Sequence, residues 1–266
     1  MQDLKLALIQ ADLFWEDTAK NLAAFDVKTQ AIEEGTDLII LPEMFNTGFS
    51  INPEKISEEP EGSTFRWMQR MAKQKNAAIT GSVITRENDH YFNRLYWVFP
   101  DGTHWHYDKK HLFRLGKEWQ VFSAGSQKTI IEYKGWNICP LICYDLRFPV
   151  WSKNRMIDGN FEYDLLIYVA NWPEVRNYVW KHLLIARALE NQAYVVGVNR
   201  VGPDGNAINH TGDSMVLDAG GKIIAQAKPF KEEILTAVIS KKDIETFREK
   251  FRFSLDWDDF TISGIE

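Results

Sequence analysis

Three residue types that together support nucleophilic hydrolysis stand near strand ends. Cys143 and Glu43 each follow a short apolar run, and Lys109 follows the segment 103–108. A cysteine at a strand-to-helix junction can act as a nucleophile because free backbone N–H groups stabilise its thiolate. A glutamate at the carboxyl end of a strand lies where α/β sheets place their sites and can accept a proton. Each residue also has a structural interpretation, as a buried thiol, a salt-bridged carboxylate or a solvated ammonium.

Two neighbouring residues compete with these candidates. Lys109 and Lys110 point to opposite faces of a strand, so only one of them can face a site. Cys139 lies four residues before Cys143, but no second pair of cysteines or histidines completes a zinc site. His104 and His106 share a strand face that can bind a metal, although an exposed histidine pair is the favoured interpretation.

Three blocks of sequence contain these candidates, and together they resemble the nitrilase superfamily of carbon–nitrogen hydrolases. The resemblance covers nearly the whole chain. The blocks are Leu-Pro-Glu-Met-Phe at 41–45, Tyr-Asp-Lys-Lys-His-Leu-Phe at 107–113 and Ile-Cys-Tyr-Asp-Leu-Arg-Phe-Pro at 142–149.

The resemblance implies a Glu43–Lys109–Cys143 catalytic triad and no metal or organic cofactor. The family pattern Lys-x-His-Leu-Phe selects Lys109 over Lys110. Glu118 matches a second glutamate of the family, and we expect it to orient Lys109 and the substrate amide. The implied fold is a four-layer αββα sandwich of the α/β class, and the implied assembly is a homodimer formed through helices near the site.

Three further segments, 46–49, 170–173 and 188–200, resemble the bacterial omega-amidases. This resemblance implies hydrolysis of the terminal amide of 2-oxoglutaramate or 2-oxosuccinamate through a thioester. An alternative is another amidase of the superfamily, such as an N-carbamoyl-amine hydrolase. A non-enzymatic scaffold predicts loss of a triad member, yet all three are present.

An omega-amidase must also bind the free carboxylate at the far end of its substrate. Arginine offers a bidentate match, and Arg176, near the start of a helix, is our first choice. Tyr144, Trp172 and Phe45 are expected pocket walls, with core packing as the alternative. We expect Arg147, which belongs to the general superfamily block, to support the fold.

Hydrophobic patterning predicts strands alternating with helices in both halves of the chain. The predicted helices span 17–34, 63 onward, 175–191 and 241–250. The predicted strands span 4–9, 38–41, 77–85, 91–99, 103–108, 128–133, 136–142, 165–170, 194–199, 214–217, 222–226 and 234–239. We expect one carbon–nitrogen hydrolase domain over 1–266. Its C-terminal tail, 254–266, contains Trp257 and docks either on a neighbouring subunit or on its own chain.

Composition limits the partners of the chain. The net charge of −6 disfavours nucleic acid and anionic membranes. No apolar run approaches the ~18 residues of a membrane span, and no secretory pattern opens the sequence. The 2 cysteines cannot build a disulfide framework, so we expect the protein to be cytoplasmic. The expected partner is a small-molecule amide substrate. The 10 tryptophans are expected as core anchors, with a minor share lining a small pocket.

Overall fold

The computed structural model describes residues 2–262 and contains two six-stranded sheets. The strands of the first sheet are β1 (Leu4–Gln10), β2 (Leu38–Ile40), β3 (Ala78–Glu87), β4 (His90–Val98), β5 (His104–Asp108) and β16 (Glu233–Ile239). Their order is β16-β1-β2-β3-β4-β5. The central strands β1, β2 and β3 are parallel, whereas β16, β4 and β5 pair antiparallel.

The second sheet repeats this plan with a parallel centre and antiparallel edges. Its strands are β6 (Ile131–Tyr133), β7 (Trp136–Ile142), β10 (Leu165–Ala170), β11 (Tyr194–Asn199), β14 (Met215–Leu217) and β15 (Ile223–Gln226). Their order is β15-β14-β11-β10-β7-β6, with β7, β10 and β11 parallel. Two small hairpins stand apart: β8 (Met156–Ile157) with β9 (Asn160–Phe161), and β12 (Val201–Pro203) with β13 (Asn209–Thr211).

Helices α1 (Thr18–Gln30) and α3 (Ser63–Lys75) pack on the outer face of the first sheet, and α5 (Asn177–Asn191) packs on that of the second. The other helices are α2 (Pro53–Ile56), α4 (Pro149–Ser152) and α6 (Lys241–Lys250). Asp17 caps α1 by accepting a hydrogen bond from the backbone N–H of Lys20, as such a residue does at a helix N-terminus.

Alternation along β1 shows why the layers form. Leu6 and Leu8 face the second sheet, where they join a core that includes Ile167. Ile9, on the opposite face, packs in the core that contains Phe25 of α1. Successive strand residues point to opposite faces, so one apolar strand fills two cores. The resulting four layers, helix–sheet–sheet–helix, confirm the expected fold class.

Helix α5 lies close against the second sheet at Gly197 of β11. A Cβ atom there would lie 2.6 Å from a methyl carbon of Leu184 and 2.7 Å from the Trp180 ring, both on α5. Only a residue without a side chain lets α5 lie this close to the sheet.

The main strands and helices agree with the sequence-based expectations, while several boundaries differ. β10, β11, β7 and α6 have the predicted bounds, but α1 ends at Gln30 rather than at 34, and α5 begins at Asn177 after a short 3₁₀ turn at Glu174–Arg176. The β8–β9 hairpin was not predicted. No helix within residues 2–262 is long and apolar enough to cross a membrane.

The C-terminal segment docks on its own chain over the part that is described. The Trp257 ring lies edge-on to Phe161 at 5.6 Å between centroids, and the Lys153 ammonium stands 3.4 Å from its centre. The last part of the predicted tail, 263–266, lies outside the described residues.

Candidate active site

The carboxyl ends of strands from both sheets meet at one edge of the sandwich. Glu43 follows β2, Lys109 follows β5, Cys143 follows β7 and Asn171 follows β10. Parallel strands end at the same edge of a sheet, which is where α/β proteins assemble their sites. Residues from distant parts of the chain are thereby placed side by side.

Cys143 opens a tight 3₁₀ turn, Cys143–Arg147, directly after β7. Its φ of +42° is in the left-handed region, which is costly for a residue with a side chain. Met44, beside Glu43, has a φ of +43°. Strained backbone of this kind costs about 1–3 kcal/mol per residue and persists only where the surrounding structure enforces it.

Lys109 lies between two glutamates in a fully buried cluster. Its Nζ donates to Oε1 of Glu43 at 2.7 Å and to both carboxylate oxygens of Glu118 at 3.1 and 3.0 Å. The side chains of all three are completely buried. An ammonium group has three N–H donors, and one of them can be shared between the two Glu118 oxygens, which leaves a third donor for a ligand.

Two asparagines fix the glutamates from the other side. The Asn93 amide donates to Oε1 of Glu43 at 2.8 Å and to Oε1 of Glu118 at 3.2 Å. The backbone N–H of Asn171 donates to Oε2 of Glu43 at 2.8 Å. Glu118 also accepts from the backbone N–H of Phe113 at 2.6 Å. Both carboxylates are therefore held in one orientation by several donors.

Burial and charge set the protonation states of the cluster. Burial alone would lower the pKa of Lys109, but the carboxylates of Glu118 and Glu43 outweigh it and raise that pKa. Burial raises the pKa of Glu118, which Lys109 partly opposes. Burial and the nearby Glu43 charge raise the pKa of the Cys143 thiol well above its usual range, against the opposing effect of Lys109. The resting Cys143 is therefore a neutral thiol, and a base must remove its proton before the sulfur can attack a substrate.

Asp145 connects the loop that carries Lys109 to the turn that carries Cys143. Its buried carboxylate accepts hydrogen bonds from the Tyr107 hydroxyl at 2.8 Å, the His111 backbone N–H at 3.0 Å and the Ile142 backbone N–H at 3.0 Å. The positions of the lysine and the cysteine are thus tied together by one buried acceptor.

A cavity of about 200 Å³ opens above Cys143 and Lys109. Tyr144, Trp172 and Arg176, all expected at the site, line it. The remaining lining residues are Trp15, Phe49, Ser50, Ile51, Asn52, Phe113, Gly116, Arg147, Asn171, Pro173, Asp204, Asn206, Ile208 and His210. The volume suits a small molecule rather than a polymer.

Phe45 does not wall this cavity, which corrects the expectation for that residue. It is fully buried in the core under the first sheet, 5.3 Å from the Phe25 ring and 5.7 Å from the Trp67 ring. The left-handed backbone at Met44 turns the chain, so Glu43 faces the site while Phe45 packs beneath the helices.

Arg147 also differs from its expected supporting role, because it lines the cavity. Its guanidinium lies 5.1 Å from the centre of the Trp172 ring, and that of Arg176 lies 5.4 Å from the centre of the Phe113 ring. Arg200, the arginine that ends the segment 188–200, does not line the cavity. It is fully buried, and its guanidinium donates to Oδ1 of Asp12 at 2.6 Å.

The competing residues lie away from the cavity. Lys110 is half-buried, with its ammonium 5.5 Å from the Trp151 ring centre. Cys139 is buried in the hydrophobic core, and burial raises the pKa of its thiol to about 12. His104 lies against the Phe65 ring at 4.6 Å. Within residues 2–262, no group of three or more His, Cys, Asp or Glu side chains is placed to hold a metal ion.

Asn93 and His210 also belong to the site, although neither was expected from the sequence. Asn93 lies within β4, and its only local signal is a polar residue at a buried strand position. Its partner Glu43 is 50 residues away. His210 enters the cavity wall from β13, a hairpin strand that the hydrophobic pattern did not predict.

Comparison with known proteins gives concordant matches over nearly the whole chain. A model of the carbon-nitrogen hydrolase family matches residues 5–249. Omega-amidase YafV of Escherichia coli K12 is 44% identical over 262 residues, covering 98% of this chain and 100% of the relative. The 2-oxoglutaramate amidase of Bacillus subtilis is 32% identical, covering 92% and 93%.

A solved structure agrees with these matches. The CN-hydrolase superfamily protein of Xanthomonas campestris, which carries an arsenic adduct in its active site, superposes with a TM-score of 0.97 at 42% identity. The alignment covers 99% of this chain and 100% of that one. The chain therefore belongs to the carbon–nitrogen hydrolases of the nitrilase superfamily, in the omega-amidase branch, and is a hydrolase of amide carbon–nitrogen bonds.

Proposed function

We propose that this enzyme releases ammonia from the terminal amide of a small omega-amido acid, such as 2-oxoglutaramate or 2-oxosuccinamate, through a thioester on Cys143. The observation that carries the proposal is one small cavity lined by the Cys143 thiol, the Lys109 ammonium and the Arg176 guanidinium. A nucleophile, an oxyanion donor and a carboxylate binder thus share one space.

The first step forms the carbon–sulfur bond. Glu43 accepts the thiol proton of Cys143 as the sulfur attacks the amide carbonyl, which is required because burial keeps the thiol neutral. The oxyanion accepts hydrogen bonds from the free donor of Lys109 and from the backbone N–H of Tyr144. A preorganised donor of this kind lowers the barrier by about 3 kcal/mol.

The next steps release the two products. Glu43 returns its proton to the amide nitrogen, the carbon–nitrogen bond breaks and ammonia leaves a thioester on Cys143. Glu43 then takes a proton from water, whose oxygen attacks the thioester carbon. The carbon–sulfur bond breaks, the proton returns to the sulfur, and the free acid departs. Glu118 keeps Lys109 in place through its two contacts with the ammonium.

Arg176 supports recognition of the far end of the substrate. An amide of four or five carbons has too little apolar surface to bind tightly, so a charge-assisted contact must fix its position. Trp172 holds the backbone of Arg176 in place, since its ring N–H donates to the Arg176 carbonyl oxygen at 2.9 Å.

The test compares ammonia release from succinamate and glutaramate with release from their methyl esters. We expect the esters to show a higher KM and a lower kcat, because losing the carboxylate also spoils the attack geometry. Arg176→Lys should be nearly as harmful as Arg176→Ala, since an ammonium cannot make a planar two-point contact. Equal hydrolysis of acids and esters would refute the omega-amido acid assignment and favour an N-carbamoyl-amine hydrolase.

A further inference from the structure

Trp15 lies at the mouth of the cavity, and the proposed reaction does not use it. Cys143 and Lys109 form the floor of the cavity and are 9% and 1% exposed. Trp15 lines the same cavity but is only half-buried, so it lies nearer the solvent. Ile208, which is 43% exposed, joins it from the loop that connects β12 to β13. The mouth therefore has an apolar wall above a polar floor.

Two glycines let the backbone approach the Trp15 ring closely. A Cβ atom at Gly205, in the loop between β12 and β13, would overlap three atoms of the indole. A Cβ atom at Gly48, in the loop after Glu43, would lie 3.3 Å from the six-membered ring. Only a residue without a side chain permits so close an approach as that of Gly205. The indole is therefore packed against two separate loops of the cavity rim.

The chain on either side of this ring is fixed to the same two loops. The backbone N–H of Val201 donates to the carbonyl oxygen of Ala11 at 3.0 Å. The backbone N–H of Glu16 donates to the carbonyl oxygen of Thr47 at 2.8 Å. Glu16 has a φ of +52°, a strained conformation that persists only where the surrounding structure enforces it. The ring cannot swing away from the mouth without breaking these contacts.

We propose that Trp15 sets the upper limit on the length of the acid chain that this enzyme accepts. This inference rests on the proposed function. A substrate with its amide at Cys143 and its carboxylate at Arg176 is held at both ends. Additional methylenes must then bow away from the buried floor and towards the mouth. There they meet the indole, which its two supporting loops prevent from moving aside.

The limit should appear as a step in a series of acids of increasing length. Succinamate, glutaramate and adipamate have chains of four, five and six carbons and differ only in methylenes. One methylene that fits poorly in an apolar pocket changes kcat/KM by about 10- to 200-fold. We therefore expect the wild type to hydrolyse adipamate with a kcat/KM at least about 10-fold below that for glutaramate.

The experiment measures kcat/KM for the three amides with the wild type, Trp15→Ala and Trp15→Leu. Trp15→Ala should raise the adipamate-to-succinamate ratio by at least about 10-fold, with Trp15→Leu intermediate. Trp105→Ala is the matched control, because Trp105 is 59% exposed on β5 and lies outside the cavity wall. It should leave the ratio unchanged.

Binding of the product diacids provides a readout that does not depend on turnover. Titration calorimetry with succinate and adipate compares the affinity of each variant for the short and the long chain. We expect Trp15→Ala to improve the affinity for adipate relative to succinate. A purely structural role of Trp15 predicts instead that both affinities fall together.

The outcomes separate this inference from the proposed function. An unchanged adipamate-to-succinamate ratio in Trp15→Ala overturns the inference while leaving the omega-amidase activity intact. If Trp15→Ala fails to fold, the same ratio in Trp15→Leu decides. Equal wild-type kcat/KM for adipamate and succinamate also overturns it. A wild type that hydrolyses none of the three acids overturns the proposed function together with the inference.

Discussion

Replacing Lys109 with methionine tests whether the buried ammonium acts in the reaction or only adds positive charge. Methionine is similar in length but has neither charge nor N–H donor. In the variant, Glu43 and Glu118 face one another without their shared cation, with both side chains completely buried. The matched control is Lys110→Met, which changes a half-buried neighbour over the Trp151 ring.

Two magnitudes follow from the contacts of Lys109. Losing a preorganised oxyanion donor lowers kcat by about 100- to 1000-fold. Removing one partner of a buried ion pair lowers the free energy of unfolding by about 3–5 kcal/mol. Lys110→Met removes a cation–π contact, which is worth about 0.5–1 kcal/mol at an exposed site, and should leave kcat nearly unchanged.

The stability loss should depend on pH in a definite direction. Burial raises the pKa of Glu118 and Lys109 opposes that rise, so the variant loses the opposing effect. A carboxyl whose pKa is raised on folding binds more protons in the folded state, so stability falls as pH increases. The deficit of Lys109→Met relative to the wild type should therefore be smaller at pH of about 5 than at pH of about 7.

The measurements are ammonia release from succinamate and urea unfolding at both pH values. Equal kcat losses in Lys109→Met and Lys110→Met would show that the lysine contributes only bulk electrostatics. A stability deficit that grows as the pH falls would refute the assigned arrangement of the buried carboxylates.

Further predictions concern the residues around the cluster. Asn93→Leu removes a donor that favours the ionised carboxylates, so we expect the acidic limb of the kcat/KM profile to move to higher pH; an unmoved limb would contradict this. Asp145→Ala leaves several buried donors unpaired and should lower the free energy of unfolding, measured in urea, by more than about 3 kcal/mol, with Asp145→Asn milder. Burial lowers the pKa of His210 to about 4, so the folded state binds fewer protons between that value and the ordinary pKa of 6.5, and wild-type stability should fall as pH decreases through this window. His210→Asn should flatten that dependence, and a parallel decline in both proteins would exclude His210 as its source. Cys139→Ala should retain most turnover, and a loss matching that of Cys143→Ala would contradict the assignment of the nucleophile.

The sequence was most informative where short local patterns and strand ends coincide. The apolar runs before Glu43 and Cys143 are buried strands of the two different sheets, and each residue follows the carboxyl end of its strand, where α/β proteins place their sites. The choice of Lys109 over Lys110 needed the family resemblance, because alternation alone leaves both faces open. The structure places Lys109 in the buried cluster and Lys110 outside the cavity.

The remaining features depend on contacts that no local pattern carries. Phe45 turns into the core because Met44 takes a left-handed backbone, which sequence spacing does not reveal. Asn93 reaches the glutamates only because β4 pairs beside β3, next to the loop after β2. Arg147 enters the cavity because a 3₁₀ turn, rather than an ordinary helix, follows β7.

Detection of the acyl-enzyme tests the proposed chemistry most directly. The enzyme is mixed with succinamate, quenched in acid within its first turnovers, and analysed by intact mass and peptide mapping. We predict a succinyl group on Cys143, with ammonia already released, and neither adduct nor ammonia in Cys143→Ala. An adduct on Cys139, or ammonia release by Cys143→Ala at the wild-type rate, would contradict the account.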